Sequence, residues 1–363
     1  MAAALEDTPV SYEDLAEIER EFDQVETEII RQQLALTKHL YARRSKTVAQ
    51  IPNFWPLVLE QAPPDIDQYI QPSDSALLLS SLASLSVSHF EAELPHGDPR
   101  SVSIRFDFQE NEYFRDASLE KRFWWRRATD GWTGLVSEPV PIDWKAGRDL
   151  TGGVLGLVVK AWEAERKSSS SVVDGGGGGG AAKDKKKKKA GLTPEQKALK
   201  KHIDGTGMGG LSFFAWFGFI GRNITAEESA AANALEARRR EARKAGSAHD
   251  TDKDGDGEKG EQDTETEDTE GEDEVDMSLE IFPEGDDLAV AISEDLWPSA
   301  IKYFTQAQEQ DALSDADFES DDDEEKAGDE EEAGDEEPAA LSAGENSDAD
   351  AELARPKKKQ RSS

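Results

Sequence analysis

Leu15, Ile18, Phe22, Val25 and Ile29 recur at alternating steps of three and four residues; Gln32 takes the next place and Leu36 resumes the series. That spacing lays a narrow apolar stripe along one face of a helix, the pattern of a seam between paired helices. No Gly or Pro interrupts residues 11–48. At 1.5 Å per residue such a helix is roughly 57 Å long, more than an ordinary domain is wide, so it is expected to overhang its own domain. Ile30, Leu34, Leu40 and Tyr41 widen the stripe in the second half. The narrow part reads as facing another chain, the wide part as also facing its own domain; a long monomeric helix lying across a bundle is the alternative. The start falls at Thr8-Pro9 or at Ser11, which has Asp14 three residues on. The end falls before Pro52, because a residue preceding proline is pushed out of the helical region.

Beyond this helix, Asn53 is placed to cap a short helix whose Phe54, Leu57 and Val58 face inward. Pro63-Pro64 ends it, and Asp74 is placed to cap another over residues 75–82. From Leu82 the hydrophobic period changes from near 3.6 to 2. Leu85 and Val87 alternate with serines, and Val102, Ile104, Phe106 and Phe108 alternate with Ser103, Arg105 and Asp107. Phe123-Trp124-Trp125 reads as a third strand, and Val140, Ile142 and Trp144 as a fourth. Short connections without crossover helices imply an antiparallel meander. Phe213, Phe214, Trp216 and Phe217 read as core anchors on that sheet, and Leu288 to Tyr303 as a closing helix interrupted at Pro298.

The formal net charge is −36 over 363 residues. So acidic a chain repels phosphate and suits a basic partner rather than nucleic acid. There is no cysteine, which removes disulfides and thiol chemistry. The five histidines show no metal-ligand spacing and no nucleophile motif is present, so an enzyme is disfavoured and no metal or nucleotide cofactor is expected. No apolar run is long enough for a membrane span, and Met1–Leu5 does not open a signal peptide. Two stretches read as flexible insertions, about 167–210, with six glycines and five consecutive lysines, and about 246–277, which is acidic. The glycine run lacks the Gly-Lys-Ser/Thr of a phosphate loop. The expected organisation is a dimerisation helix over 8–50, a domain over 51–304 and an acidic disordered tail over 305–363. That tail ends in a basic run, Lys357, Lys358, Lys359 and Arg361, which reads as a nuclear import signal.

Five segments carry a resemblance. Phe54-Trp55 after Ile51-Pro52-Asn53, Phe106 to Phe114, Ser212 to Phe217, and Asp295-Leu-Trp-Pro298 with Tyr303-Phe304 resemble the nucleosome assembly protein family, in that family's order. Ile142 to Thr151 resembles its SET, or template-activating-factor, branch. The resemblance covers roughly Ala16–Phe304 less the two insertions. It implies an α+β fold: a long N-terminal dimerisation helix, and an earmuff domain with a four-stranded antiparallel sheet backed by helices. It implies a homodimer with antiparallel long helices paired through Leu15, Ile18, Phe22, Val25, Ile29 and Leu36. It further implies core histones as partners and ATP-independent nucleosome assembly; with the basic run, the expected location is the nucleus, with shuttling to the cytoplasm. The family's histone-facing surface, the acidic concave underside of the dimer, carries over to Asp107, Glu110, Glu112, Asp116, Asp286, Asp287, Glu294 and Asp295. Asn111 between them reads as a turn residue. The other function class that the resemblance allows is an acidic dimeric adaptor that recruits a chromatin enzyme, as a histone-acetyltransferase partner or a phosphatase inhibitor.

Overall fold

A computed structural model describes residues 10–95, 97–171, 192–206, 210–247 and 278–324. The first helix, α1, spans Tyr12–Val48. Ser11 caps it: the Ser11 hydroxyl accepts the Asp14 N–H at 3.1 Å, and the Asp14 carboxylate accepts the Ser11 N–H at 2.8 Å. These bonds, backbone first, hold the Asp14 carboxyl below its ordinary value.

Short helices α2 (Phe54–Glu60), α3 (Pro64–Asp67) and α4 (Pro72–Ser81) lead into the sheet. Asn53 starts α2 by its left-handed backbone, φ 54°, with no side-chain cap bond, unlike the expected Asn cap. The N-cap of α4 is Gln71 rather than Asp74; Asp74, at the third helical position, closes the capping box by accepting the Gln71 N–H at 3.0 Å. It is buried, and also accepts from the Ser212 hydroxyl at 2.6 Å and the Phe213 N–H at 2.7 Å. Strands β1 (Leu82–Ser88), β2 (Val102–Phe108), β3 (Ser118–Arg127) and β4 (Thr133–Ser137) form one antiparallel sheet in the order β1-β2-β3-β4.

The meander is as the period-2 pattern implies, but its fourth strand is not Val140–Trp144. Pro139 and Pro141 remove ladder donors from that stretch. Its Val140 N–H goes to Phe217 O and its Trp144 makes an isolated bridge to Phe114. Thr133–Ser137 pairs instead. Its Gly134 accommodates the Trp132 ring, which lies 2.5 Å from where a Cβ would stand.

After the sheet come α5 (Val154–Ser171), α6 (Pro194–Thr206), the 3₁₀ turn Phe213–Gly218, α7 (Ala226–Ser247), α8 (Gly285–Val290), the π-turn Ala291–Leu296 and α9 (Ala300–Glu324). α6 falls inside the stretch expected to be an insertion. Thr193 and Gln196 form its capping box, and Leu199 is buried against α5. α9 likewise continues through residues 305–324, where a disordered tail was expected; Phe304 stacks on Phe54 at 4.9 Å and Ala307 is buried. The chain divides into compact units after Ala312. Most of the second expected insertion, from residue 248, and the basic run Lys357–Arg361 lie outside the described residues.

The core is aromatic. Trp216 is fully buried, stacks on Phe123 at 5.4 Å and donates its Nε1–H to Gly285 O at 2.7 Å. Beside it Lys121, on the inward face of β3, is fully buried. Its Nζ lies within hydrogen-bond distance of Glu138 O, Phe217 O and Phe219 O, at 3.0, 3.1 and 2.9 Å, tying the sheet to the 3₁₀ turn. Burial pushes Lys121 down to about 7, against the attraction of Glu280 and Glu138.

Because that folded-state value lies below the ordinary one, the unfolded chain holds this proton across pH 7 to about 10.4 while the folded chain has released it. Stability from this group therefore rises with pH across the window and is lost as pH falls to 7. Urea unfolding of wild type and Lys121→Met is expected to show the wild type gaining on the variant by at most about 1.4 kcal/mol per pH unit between pH 7 and 9. A difference that stays flat over that range contradicts the assignment.

Candidate functional site

α1 has two faces. Arg20, Asp23, Thr27, Arg31, Leu34, Tyr41 and Arg44 are half-buried and look toward the chain's own domain. Arg20 pairs with Glu236 of α7 at 3.2 Å, Glu17 with Arg240 at 2.7 Å, and Asp23 with Arg100 at 2.6 Å. The Arg31 guanidinium donates to Ala92 O and Gly97 O. Near the far end Arg44 lies over the Trp297 and Tyr41 rings at 4.4 and 4.8 Å and donates to Trp297 O and Pro298 O. α1 is thus tied to its own domain at several points between Glu17 and Val48.

At about 100° per residue, the seam Leu15, Ile18, Phe22, Val25, Ile29 and Leu36 falls nearly opposite that anchored face. Its residues are 42, 51, 65, 56, 55 and 71 % exposed. Leu40, expected to widen the domain-facing side, is 51 % exposed and belongs with the seam. These large apolar side chains are held outward in one row, interrupted at Gln32.

The eight carboxylates sort into two groups. The first surrounds the β2–β3 connection. Burial pushes the Asp107 carboxyl up, but hydrogen bonds from Ser84, Arg105 and Ser118 outweigh it and hold the carboxyl below its ordinary value. Asp116 accepts the Asp143 N–H at 2.7 Å. Glu112 is exposed with Arg148 at 3.5 Å, and Glu110 is exposed. Asn111 Oδ1 accepts the N–H groups of Tyr113 and Phe114, so it is the turn residue its position suggested.

The second group lies on α8 and the π-turn. Asp287 and Glu294 are exposed, as is Glu110. Asp295 accepts the Tyr303 hydroxyl at 2.9 Å. Burial, that bond and the Asp295 charge raise the Tyr303 phenol to about 12. Asp286 is half-buried. Burial pushes its carboxyl up, helped by the charges of Asp287 and Glu284 and opposed by hydrogen bonds from the Asp286 and Asp287 N–H groups.

Two acidic residues and a tyrosine join this group from outside the sequence reading. The Tyr69 hydroxyl, on the turn after α3, donates to Glu284, and its ring lies 5.0 Å from Phe282. Burial raises the Tyr69 phenol far above its ordinary value, with further contributions from the Glu284 bond and the charges of Glu284, Asp287 and Asp65. Asp65, Glu284, Asp286 and Asp287 thus form one negative patch around an aromatic edge. Asp65 and Glu284 lie far apart in the chain, so no local motif links them. The only sequence signal is that each neighbours an acidic residue or a proline turn. Among the described residues no group of three or more His, Asp or Glu is placed to hold a metal ion.

Residues 9–174 match the family model for the nucleosome assembly protein (NAP). The nucleosome assembly protein C36B7.08c of Schizosaccharomyces pombe is 38 % identical over 150 residues, 39 % of this chain and 59 % of that protein. Vacuolar protein sorting-associated protein 75 of Saccharomyces cerevisiae is 31 % identical over 138 residues, 37 % of this chain and 52 % of that protein. Protein SET of Drosophila melanogaster is 32 % identical over 117 residues, 32 % of this chain and 41 % of that protein. The chain therefore spans about half the length of the curated relatives it matches. A crystal structure of Vps75 aligns over 81 % of this chain and 96 % of that one, at 23 % identity and a TM-score of 0.45.

Proposed function

We propose that this chain, which carries a nucleosome assembly protein domain of the SET-like kind, is a histone chaperone acting as a homodimer, not an enzyme. The observation that carries the reading is the pairing of two surfaces on one rigid domain: an exposed apolar seam for a second copy, and exposed carboxylates for a basic partner. Histones are basic and bind DNA non-specifically. An acidic dimer covers that charge until DNA, a denser polyanion, takes over. Each exposed ion pair is worth at most about 1 kcal/mol, so many weak contacts allow exchange without ATP.

Glu110, Glu112, Asp287 and Glu294 are the first residues to test, since they are exposed. Asp107, Asp116 and Asp295 already hold internal bonds, and Asp286 is half-buried with the Asp65–Glu284 patch beside it. The acidic residues after Asp311 add negative charge to the chain, and the attraction it exerts on a basic partner is screened by salt. A nucleosome-assembly assay with pure histones, DNA and this protein, without ATP, is expected to give supercoiled, nucleosome-bearing DNA. Inactivity there, with a pull-down that enriches an enzyme rather than core histones and tolerates salt, would replace the chaperone by an adaptor.

The reading places the protein in the nucleus, with import through Lys357, Lys358, Lys359 and Arg361 and a second basic run at Lys185–Lys189. Changing both runs to alanine is expected to leave a fluorescent fusion in the cytoplasm. A fusion that stays nuclear rules these runs out.

A further inference from the structure

On the domain-facing side of α1 lies a cleft of about 450 Å³, within the range of small-ligand sites. α1 forms one wall and the first half of α7 another, where the side chains of Ala226, Ser229 and Ala230 are small. The end of β3, at Trp125 to Arg127, and the β1–β2 connection complete it. Arg20 and Glu236, each about one turn beyond the lining residues of its helix, pair at 3.2 Å and tie the two walls together.

Four arginines line this cleft, in a chain with 78 acidic residues against 42 Lys and Arg. With nearly two carboxylates for each cation, an arginine is expected to hold at least one. Arg100 holds two, Asp23 at 2.6 Å and Asp98 at 2.7 Å, and Arg126 has Glu91 at 3.5 Å. Arg31 and Arg127 have neutral partners instead. Arg31 donates to Ala92 O and Gly97 O, and Arg127 donates through Nε to Asn233 Oδ1 at 3.1 Å. The remaining lining carboxylate, Glu28, is exposed and accepts the Gln32 amide at 3.0 Å. Two guanidinium charges are thus left for a ligand to meet.

A carboxylate would supply one negative charge. A phosphomonoester supplies about −1.5 to −2 at pH 7, with three strong acceptor oxygens, and guanidinium forks match its geometry. A DNA duplex fits less well, because a chain of net charge −36 repels a polyanion over its whole length. We propose that the α1–α7 cleft binds a phosphomonoester through Arg127 and Arg31, with room for the side chain or small molecule that carries it. The site stands apart from the exposed carboxylates and does not depend on the histone reading.

Full-length protein is titrated against a fluorescein-labelled Ala-Ala-phosphoserine-Ala-Ala peptide by anisotropy, and against phenyl phosphate by phosphorus NMR line broadening. Saturable binding of at least one probe is expected. The peptide with serine or glutamate in place of phosphoserine is expected to bind at least about tenfold more weakly than the phosphopeptide. Asn233→Asp sets a carboxylate against Arg127 at an exposed helix position and is expected to weaken binding at least about tenfold, as is Arg127→Gln. Lys201→Gln, exposed on α6 and outside the cleft, lowers the net charge by the same one unit as Asn233→Asp and is expected to change binding less than about twofold. Circular dichroism checks the fold of each variant. Phenyl phosphate that displaces the phosphopeptide as well as unlabelled phosphopeptide does assigns the site to small phosphomonoesters; displacement by the phosphopeptide alone assigns it to a phosphorylated side chain. Either result upholds the proposal. Failure of both probes to bind overturns it, as does an equal effect of Asn233→Asp and Lys201→Gln. Equal binding of the glutamate peptide makes this a carboxylate site, and a short DNA duplex that displaces the phosphopeptide better than phenyl phosphate makes it a nucleic-acid site; both overturn it.

Discussion

Replacing Val25 and Ile29 together by arginine is expected to convert the protein to monomer at micromolar concentration while its helical circular dichroism is kept. Both side chains are more than half exposed in the isolated chain, so the domain itself loses no buried contact. In a paired seam the same change would bury four arginines per dimer without partners, at a cost of several kcal/mol. At about 1.4 kcal/mol per tenfold, that moves the dissociation constant by at least a thousandfold. The domain anchors of α1, from Arg20–Glu236 to Arg44 over Trp297, are on the other face and remain. Sedimentation or light scattering reads the outcome. A wild type that is already monomeric, or a variant that stays dimeric, removes the seam from the account.

What the sequence makes legible here follows from locality. α1 and β2 announce themselves because a stripe of period 3.5 and an alternation of period 2 are each complete within one segment. The fourth strand is hidden because Gly131 and Gly134 resemble a turn, whereas the stretch with the better apolar alternation contains two prolines. α6 is hidden for a different reason. Its capping box at Thr193 is readable, but it stands directly after a glycine and lysine run that reads as linker. Lys121 is the sharpest case. A lysine on a strand reads as an outward charge, yet Glu138, Phe217 and Phe219 supply three carbonyls that make the interior tolerable for it. Those acceptors sit 17, 96 and 98 residues away. The acidic patch around Tyr69 is illegible on the same ground, its hydrogen bond to Glu284 spanning 215 residues. Carrying acidic positions over by motif finds exposed Glu110, Glu112, Asp287 and Glu294. It does not separate them from Asp107, Asp116 and Asp295, which the fold already employs internally.

The claim at the centre of the account is that carboxylates fixed on the folded domain orient the histone, and that the acidic end of the chain only adds screened attraction. Charge reversal of Glu110, Glu112, Asp287 and Glu294 to lysine plants like charge where the partner docks. All four side chains are exposed, so the fold is expected to survive it. Deleting residues 314–363 removes many charges but none of these positions. Fluorescence titration of labelled core histones at two salt concentrations, with circular dichroism as the folding control, compares the two proteins. The account predicts that the reversal weakens binding at least tenfold at both salts, while the deletion weakens it only a few-fold and flattens its salt dependence. The contradicting result is a deletion that abolishes binding beside a reversal that leaves it unchanged, which would make the protein a polyanion on a dimeric handle.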